Sequence, residues 1–335
     1  MTSPRRLAVA VFSVGASLGV GACGGGGDSA AEVDLAGGPD AGEFSAVLPD
    51  WCANVPRAGV ASLDRIPVAS TWFEVYRVGD GVLSIAEPKQ WQEVISYLIL
   101  GSEGALLFDT GMGIGSIRTV VEDLTDLPVT VLNSHTHFDH VSGNWEFDRI
   151  IAMDTDYTRA SAEGTPNEDV RDEVSAAALC GPLPEGVTED SYVSRPFAVA
   201  EFVSDGHEIS LGDRVLEILH IPGHTDDAIA LVDREAGYVW TGDSFYEGPI
   251  WLFGPGTDLE AYRRSTERLA SLVPGLTRVF PAHNTPFAEP RRLVELRDAF
   301  AGALDGSLEG ERRDDGLMTY DVGSFSLLLL APEDP

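Results

Sequence analysis

The sequence predicts a layered α/β domain in which helices cover β-sheet. Two observations carry this. Short apolar or β-branched runs at 73–78, 81–85, 96–100 and 105–108 are separated by glycine-containing turns, the pattern of successive strands. A helical stretch at 114–127 then precedes a second buried-strand pattern at 128–133, and strand–helix–strand order places helix over sheet. The chain has 335 residues, enough for one large domain or two small ones, and its hydrophobic content of 44% is ordinary for a globular protein.

Each element has its own signal. In 114–127, Ile117, Val120, Val121 and Leu124 recur at spacings of three and four and form one apolar stripe. A short strand follows at 150–153, and regular patterning then lapses from 154 to about 200. Within that insertion 167–179 reads as a short acidic helix, ended by Gly181–Pro182–Leu183–Pro184. The insertion is either a set of substrate-facing loops or a solvated excursion. A strand at 215–221 leads into Pro222–Gly223–His224–Thr225, where Gly223 frees the backbone for a sharp turn and His224 sits at its tip. The runs 228–232 and 238–240 form a hairpin pair feeding Thr241–Gly242–Asp243. Thr257–Asp258–Leu259–Glu260 reads as a capping box opening a helix to about 272. A strand at 278–280 enters Pro281–Ala282–His283–Asn284. Pro290 starts the last helix, with Leu293, Leu296, Phe300 and Leu304 on one face. The apolar run 324–330 is an edge strand or a packed tail.

The chemistry concentrates in His135–Thr136–His137–Phe138–Asp139–His140, just past the strand at 128–133. Imidazole nitrogen suits zinc and similar divalent metals, with carboxylate oxygen second. Alternate side chains of an extended segment point the same way, so His135 and His137 can share one metal while Asp139 and His140 reach a second. Three of the chain's seven histidines lie here. His220, two residues before Pro222, reads as a strand residue and His207 as a surface turn residue.

HxHxDH, followed by Gly223–His224–Thr225, Thr241–Gly242–Asp243 and Ala282–His283–Asn284 and preceded by Asp109–Thr110–Gly111, resembles the metallo-β-lactamase superfamily over roughly 73–304. The resemblance implies a four-layer αβ/βα sandwich. It implies two divalent metals, Zn2+ first with Mn2+ or Fe as alternatives. His135, His137 and His224 would bind one, and Asp139, His140 and His283 the other. Asp243 would bridge them, since a carboxylate has an oxygen for each cation. Asp109, otherwise a turn residue, would support the metal loop from below. Lactamase branches place Cys or Ser near the position of Asp243, so the pattern is most similar to the glyoxalase II and acyl-thioesterase branch. The implied reaction is attack of a hydroxide, held by the dinuclear metal centre, on a (thio)ester-type carbonyl, with Asp139 orienting it and taking a proton. A lactonase, a mononuclear-iron persulfide dioxygenase and a non-catalytic binding protein are the alternatives. The aromatic stretch 245–252 either lines an apolar substrate pocket or packs the core, Phe245 and Trp251 in particular.

A net charge of −32 disfavours nucleic acid as partner; a small-molecule substrate is expected instead. At the N-terminus Arg5 and Arg6 precede an apolar run, 7–22, that is short for a membrane span. It ends in Val20–Gly21–Ala22–Cys23, which resembles a bacterial lipobox; an ordinary cleaved secretory signal is the alternative. The expectation is a signal peptide at 1–22, a membrane anchor through lipidated Cys23, an extracytoplasmic location, a flexible Gly/Ala/Asp-rich tether at 23–50 and a hydrolase domain at 51–335. Export by the Sec or the twin-arginine route stays open. In such a compartment Cys52 and Cys180 either form a disulfide or remain two buried thiols.

Overall fold

The computed structural model describes residues 48–332 except Ala58. The expected signal peptide, Cys23, the tether as far as residue 47 and residues 333–335 lie outside the described residues. No helix among the described residues is long and apolar enough to cross a membrane.

Eight strands form the first sheet in sequence order: β1 (Asp64–Ile66), β2 (Glu74–Gly79), β3 (Val82–Ala86), β4 (Ile95–Leu100), β5 (Ala105–Phe108), β6 (Val129–Leu132), β7 (Ile150–Met153) and β8 (Glu201–Val203). β1 to β5 pair antiparallel and β5 to β8 parallel. The helix α1 (Ile117–Leu124) makes the β5–β6 crossover. The second sheet runs β14-β12-β11-β10-β9, built from β9 (Glu208–Ser210), β10 (Val215–His220), β11 (Ile229–Asp233), β12 (Tyr238–Gly242) and β14 (Arg278–Pro281). A third, small sheet has the order β13-β17-β16-β15, from β13 (Pro249–Leu252), β15 (Glu311–Arg312), β16 (Leu317–Asp321) and β17 (Ser326–Leu330).

Period-two alternation builds the layers. In β4, Ile95, Tyr97 and Ile99 face the second sheet; they meet Leu216, Ile218, Ile229, Leu231, Trp240 and Phe280. Leu98 and Leu107, on the opposite face, join Ile117, Val120 and Val121 of α1. In β11 the same rule sends Ala230 and Val232 outward to Tyr262 and Leu269 of α5 (Leu259–Leu272) and Leu293, Leu296 and Phe300 of α6 (Arg291–Asp305). Helix, sheet, sheet and helix are therefore stacked, with three apolar layers between them. This is the four-layer αβ/βα sandwich.

Several elements differ from expectation. α1 is shorter than 114–127. Ser116 caps its start by accepting the Thr119 N–H, and Thr125 is already extended, three residues before Pro128. The segment 167–179 is not one helix. It breaks into α4 (Asn167–Val170) and two short 3-10 turns, after α3 (Asp156–Ser161). Val170, Val174 and Leu179 are each drawn into the core, and Leu179 pairs with Gln90 across a β-bridge, so tertiary contacts override the helical pattern. The cap of α5 is Asp258, which accepts the Glu260 and Ala261 N–H groups; the hydroxyl of Thr257 instead donates to the His224 carbonyl. Leu304, in the last turn of α6, is 44% exposed, and Ala299 and Ala303 pack in its stead. The run 324–330 is neither edge nor tail: β17 lies between β13 and β16.

Cys52 and Cys180 form a disulfide, with Cα atoms 5.5 Å apart and 128 residues of separation. It ties the N-terminal turn to the insertion beside residues 89–91, where Lys89 accepts the Cys180 N–H and Trp91 donates its N–H to Ala178.

Candidate metal centre

Five strand ends converge. Asp109 follows β5, His135 follows β6, His224 follows β10, Asp243 follows β12 and His283 follows β14. The two sheets meet there: Ile95 donates its N–H to the Ala282 carbonyl and Ile229 to that of Ser134. Backbone leaves the sheets at this edge, so side chains from distant segments reach one point. His137 caps the one-turn helix α2 (Phe138–Val141), which carries Asp139 and His140. Two glycines are required by geometry. Gly223 has φ +138 and a Cβ there would lie 2.3 Å from the Tyr262 backbone. Gly242 has φ +51 and a Cβ there would lie 2.5 Å from that of Ser134.

The structure brings all seven predicted side chains into two adjoining groups. His135, His137 and His224 form one; Asp139, His140, Asp243 and His283 form the other; within each, the donor atoms lie within 4.8 Å of one another. His137 Nδ1 is 2.9 Å from His135 Nε2 and 3.0 Å from His224 Nε2. Asp139 Oδ2 is 3.2 Å from His140 Nε2 and 3.6 Å from His283 Nε2. Asp243 faces both groups. Its Oδ1 is 3.3 Å from His140 Nε2 and 3.0 Å from His283 Nε2, while its Oδ2 is 3.6 Å from His224 Nε2 and 4.0 Å from His135 Nε2. His207 and His220 stay outside; His220 Nε2 contacts the Asp226 carbonyl at 2.7 Å.

The outer nitrogens decide which lone pairs face inward. His224 Nδ1 bonds the Trp251 carbonyl at 2.9 Å, His283 Nδ1 the Gln92 carbonyl at 2.7 Å and His140 Nδ1 the Asp109 carboxylate at 3.0 Å. With Nδ1–H donating, the neutral form of each of these imidazoles presents its Nε2 lone pair to the cluster. Asp109 also accepts the Ser134 N–H at 2.6 Å and the Ser134 hydroxyl at 2.8 Å, and it sits at φ +64, a left-handed backbone that a tightly held site residue sustains. Asn133 and Asn144 bond each other, and Asn133 Nδ2 donates to the His140 carbonyl at 2.9 Å, bracing the loop. Asp227 accepts hydroxyls from Thr136, between His135 and His137, from Thr225, next to His224, and from Thr158 on α3 of the insertion.

Electrostatics separates the two groups. Burial, then the neighbouring His224, pushes His137 down to about 3; burial likewise lowers His135 and His224. Those three imidazoles are neutral, the state that ligates. For His140 burial alone would lower the pKa, but Asp139, Asp243 and Asp109 outweigh it and raise it well above the usual range; Asp243 does the same to His283. Burial would raise Asp243, yet His283 and His140 hold it well below the ordinary carboxylate range. The second group thus draws positive charge into the protein interior. His140 Nε2 and Asp243 Oδ1 are buried with no polar neighbour outside the cluster, and the Nδ1 of His137 faces two ring nitrogens at once. A cation meeting these lone pairs satisfies all of them, so the donor set fits divalent metal.

Residues 91–283 match the family model of the metallo-beta-lactamase superfamily. The acyl-coenzyme A thioesterase MBLAC2 of Homo sapiens is 30% identical over 244 residues, covering 67% of this chain and 85% of that protein. The hydroxyacylglutathione hydrolase of Gloeothece citriformis is 29% identical over 208 residues, 58% of this chain and 68% of its own length. Among solved structures, a metallo-beta-lactamase from Pontibacter korlensis aligns with a TM-score of 0.49 at 17% identity, covering 68% of this chain and 99% of that one. The chain belongs to the metallo-β-lactamase superfamily. Within it, the chain is a hydrolase with a His/Asp site suited to divalent metal.

Several residues around the site had no sequence signal. Gln92 and Trp251 contribute backbone carbonyls, which any residue type can supply. Asp227 lay three residues after His224 and could have been read with Thr136 and Thr225 as a hydroxyl–carboxylate set. The insertion supplies Tyr157, whose ring centroid is 6.2 Å from that of His137, and Glu173, which accepts from the Trp91 indole N–H at 2.8 Å. Phe245 is core, packed on Phe325; Trp251 is 36% exposed beside the site.

Proposed function

We propose that this protein is a dinuclear metal-dependent hydrolase of acyl thioesters. The observation that carries the reading is Asp243, whose two oxygens face different ligand groups. His135, His137 and His224 would hold one cation, Asp139, His140 and His283 the other, and Asp243 would serve both; the N/O set is compatible with zinc. Such cations supply a water of lowered pKa, about 7 in place of 15.7, and polarise a carbonyl oxygen. The chain's own groups do the rest. The Nδ1 anchors of His140, His224 and His283 keep ring nitrogens aimed inward. Asp139 turns Oδ2 toward His140 and His283; its other oxygen orients the attacking water and takes its proton. The names of the MBLAC2 and hydroxyacylglutathione hydrolase relatives support thioester as the substrate class.

Metal content of the purified protein, measured alongside turnover of thioester, lactone and β-lactam substrates, tests this. About two divalent ions per chain and chelator-sensitive thioester hydrolysis are expected. One iron per chain with oxygen uptake would overturn it.

We also propose that the chain is an envelope lipoprotein anchored through Cys23. The lipobox-like sequence and the Cys52–Cys180 disulfide support this, since disulfides persist in oxidising compartments. Metabolic labelling with palmitate should mark the wild type and not Cys23→Ala; equal labelling would refute it.

A further inference from the structure

Two exposed tryptophans lie beside the metal centre, one bonding a site histidine through its own carbonyl and the other next to a residue that does so. Trp251 is on β13, whose Ile250 and Leu252 point into the core, so Pro249 and Trp251 face outward. Its own carbonyl holds His224. Trp91 precedes Gln92, whose carbonyl holds His283. The indole rings of Trp91 and Trp251 lie 6.0 Å apart, and Phe253 stacks on Trp251 at 5.3 Å and 30°. Trp91 is 37% exposed and Trp251 36%.

The arrangement is held in place. Glu173 of the insertion accepts from Trp91 Nε1 at 2.8 Å and from the side-chain amides of Gln90 and Gln92, each at 3.1 Å. The polar edge of the Trp91 indole is therefore spent inward. An apolar surface remains for an occupant. The anionic surroundings, Glu173 beneath and −32 overall, disfavour a negatively charged one.

We infer that Trp91, Trp251 and Phe253 form a subsite for the neutral hydrocarbon chain of the acyl group, so that the enzyme selects thioesters by acyl-chain length. This rests on the hydrolase reading above and names the part of the substrate it recognises. Each methylene fully covered raises kcat/KM by about fourfold, and one half covered by about twofold.

The test uses the metal-loaded protein with N-acetylcysteamine thioesters bearing acyl chains of increasing length. A second readout is quenching of tryptophan fluorescence by a neutral bromoalkyl amide, which needs no hydrolysis. Expected are a kcat/KM rising about two- to fourfold per methylene over the first carbons, saturable quenching, and flattening of the chain-length dependence in Trp91→Ala and in Trp251→Ala. A chain-length dependence unchanged in both variants would overturn the subsite while leaving the hydrolase intact. Flat wild-type turnover without quenching would do the same. Saturable quenching without hydrolysis of any thioester would support the subsite and sink the hydrolase reading instead.

Discussion

Asp109→Asn isolates the tautomer argument. Asparagine has nearly the same shape and tolerates the left-handed backbone that Asp109 adopts at φ +64. Its carbonyl oxygen retains the Ser134 N–H bond made by Oδ1. Its amide then occupies the place of Oδ2, which accepts from His140 Nδ1 at 3.0 Å. An N–H aimed at Nδ1 needs a lone pair there, so the His140 proton moves to Nε2, the atom facing Asp139 and Asp243. Losing the charge-assisted bond costs about 1.5–3 kcal/mol of stability. The larger effect is on affinity: losing the partner that orients a ligating histidine costs about 10- to 100-fold. Competition of the protein with a chromophoric chelator for zinc, with circular dichroism to confirm folding, measures it. One equivalent should bind as in wild type and the second about 10- to 100-fold more weakly. Two wild-type affinities in a folded variant would refute the reasoning.

Asp227→Ala strips the acceptor from three hydroxyls and should lower stability by about 2–4 kcal/mol in urea unfolding. A loss under about 1 kcal/mol would show that Thr136, Thr158 and Thr225 find other partners. Glu87 is buried and, mainly for that reason, raised from 4.5 to about 7 despite bonds from Trp72 Nε1 and the Met112 N–H. Below about pH 4.5 both folded and unfolded forms are protonated, whereas above about 7 the fold must hold the anion. Its contribution therefore falls by about 3 kcal/mol as pH rises through that window. The stability difference between wild type and Glu87→Gln, followed by urea unfolding from pH 4 to 8, should carry that slope; a flat difference would mean the carboxyl titrates near its ordinary value. Replacing Cys52 and Cys180 by serine opens a closure 128 residues apart and should cost about 4–5 kcal/mol; an unchanged urea midpoint would contradict the chain-entropy account.

Ligand chemistry and the layering of helix on sheet were legible in the sequence because both are local, whereas the four-layer order came from the family resemblance. HxHxDH places its donors within six residues, and strand or helix periodicity tells which face is apolar. The run 324–330 shows the limit: its apolarity was evident, but its place between β13 and β16 depends on pairing with segments distant in sequence. The segment 167–179 shows it again, since core contacts and the bridge to Gln90 broke a helical pattern. The sequence by itself therefore determined the donor types, their order and the strands that end at them. The tertiary structure alone decided that Asp243 turns one oxygen to each group, that carbonyls of Gln92 and Trp251 orient two histidines, and that Glu173 holds the Trp91 indole. The reason is physical: carbonyl direction, carboxylate rotation and contacts across 80 or more residues are settled by packing, and no residue type announces them.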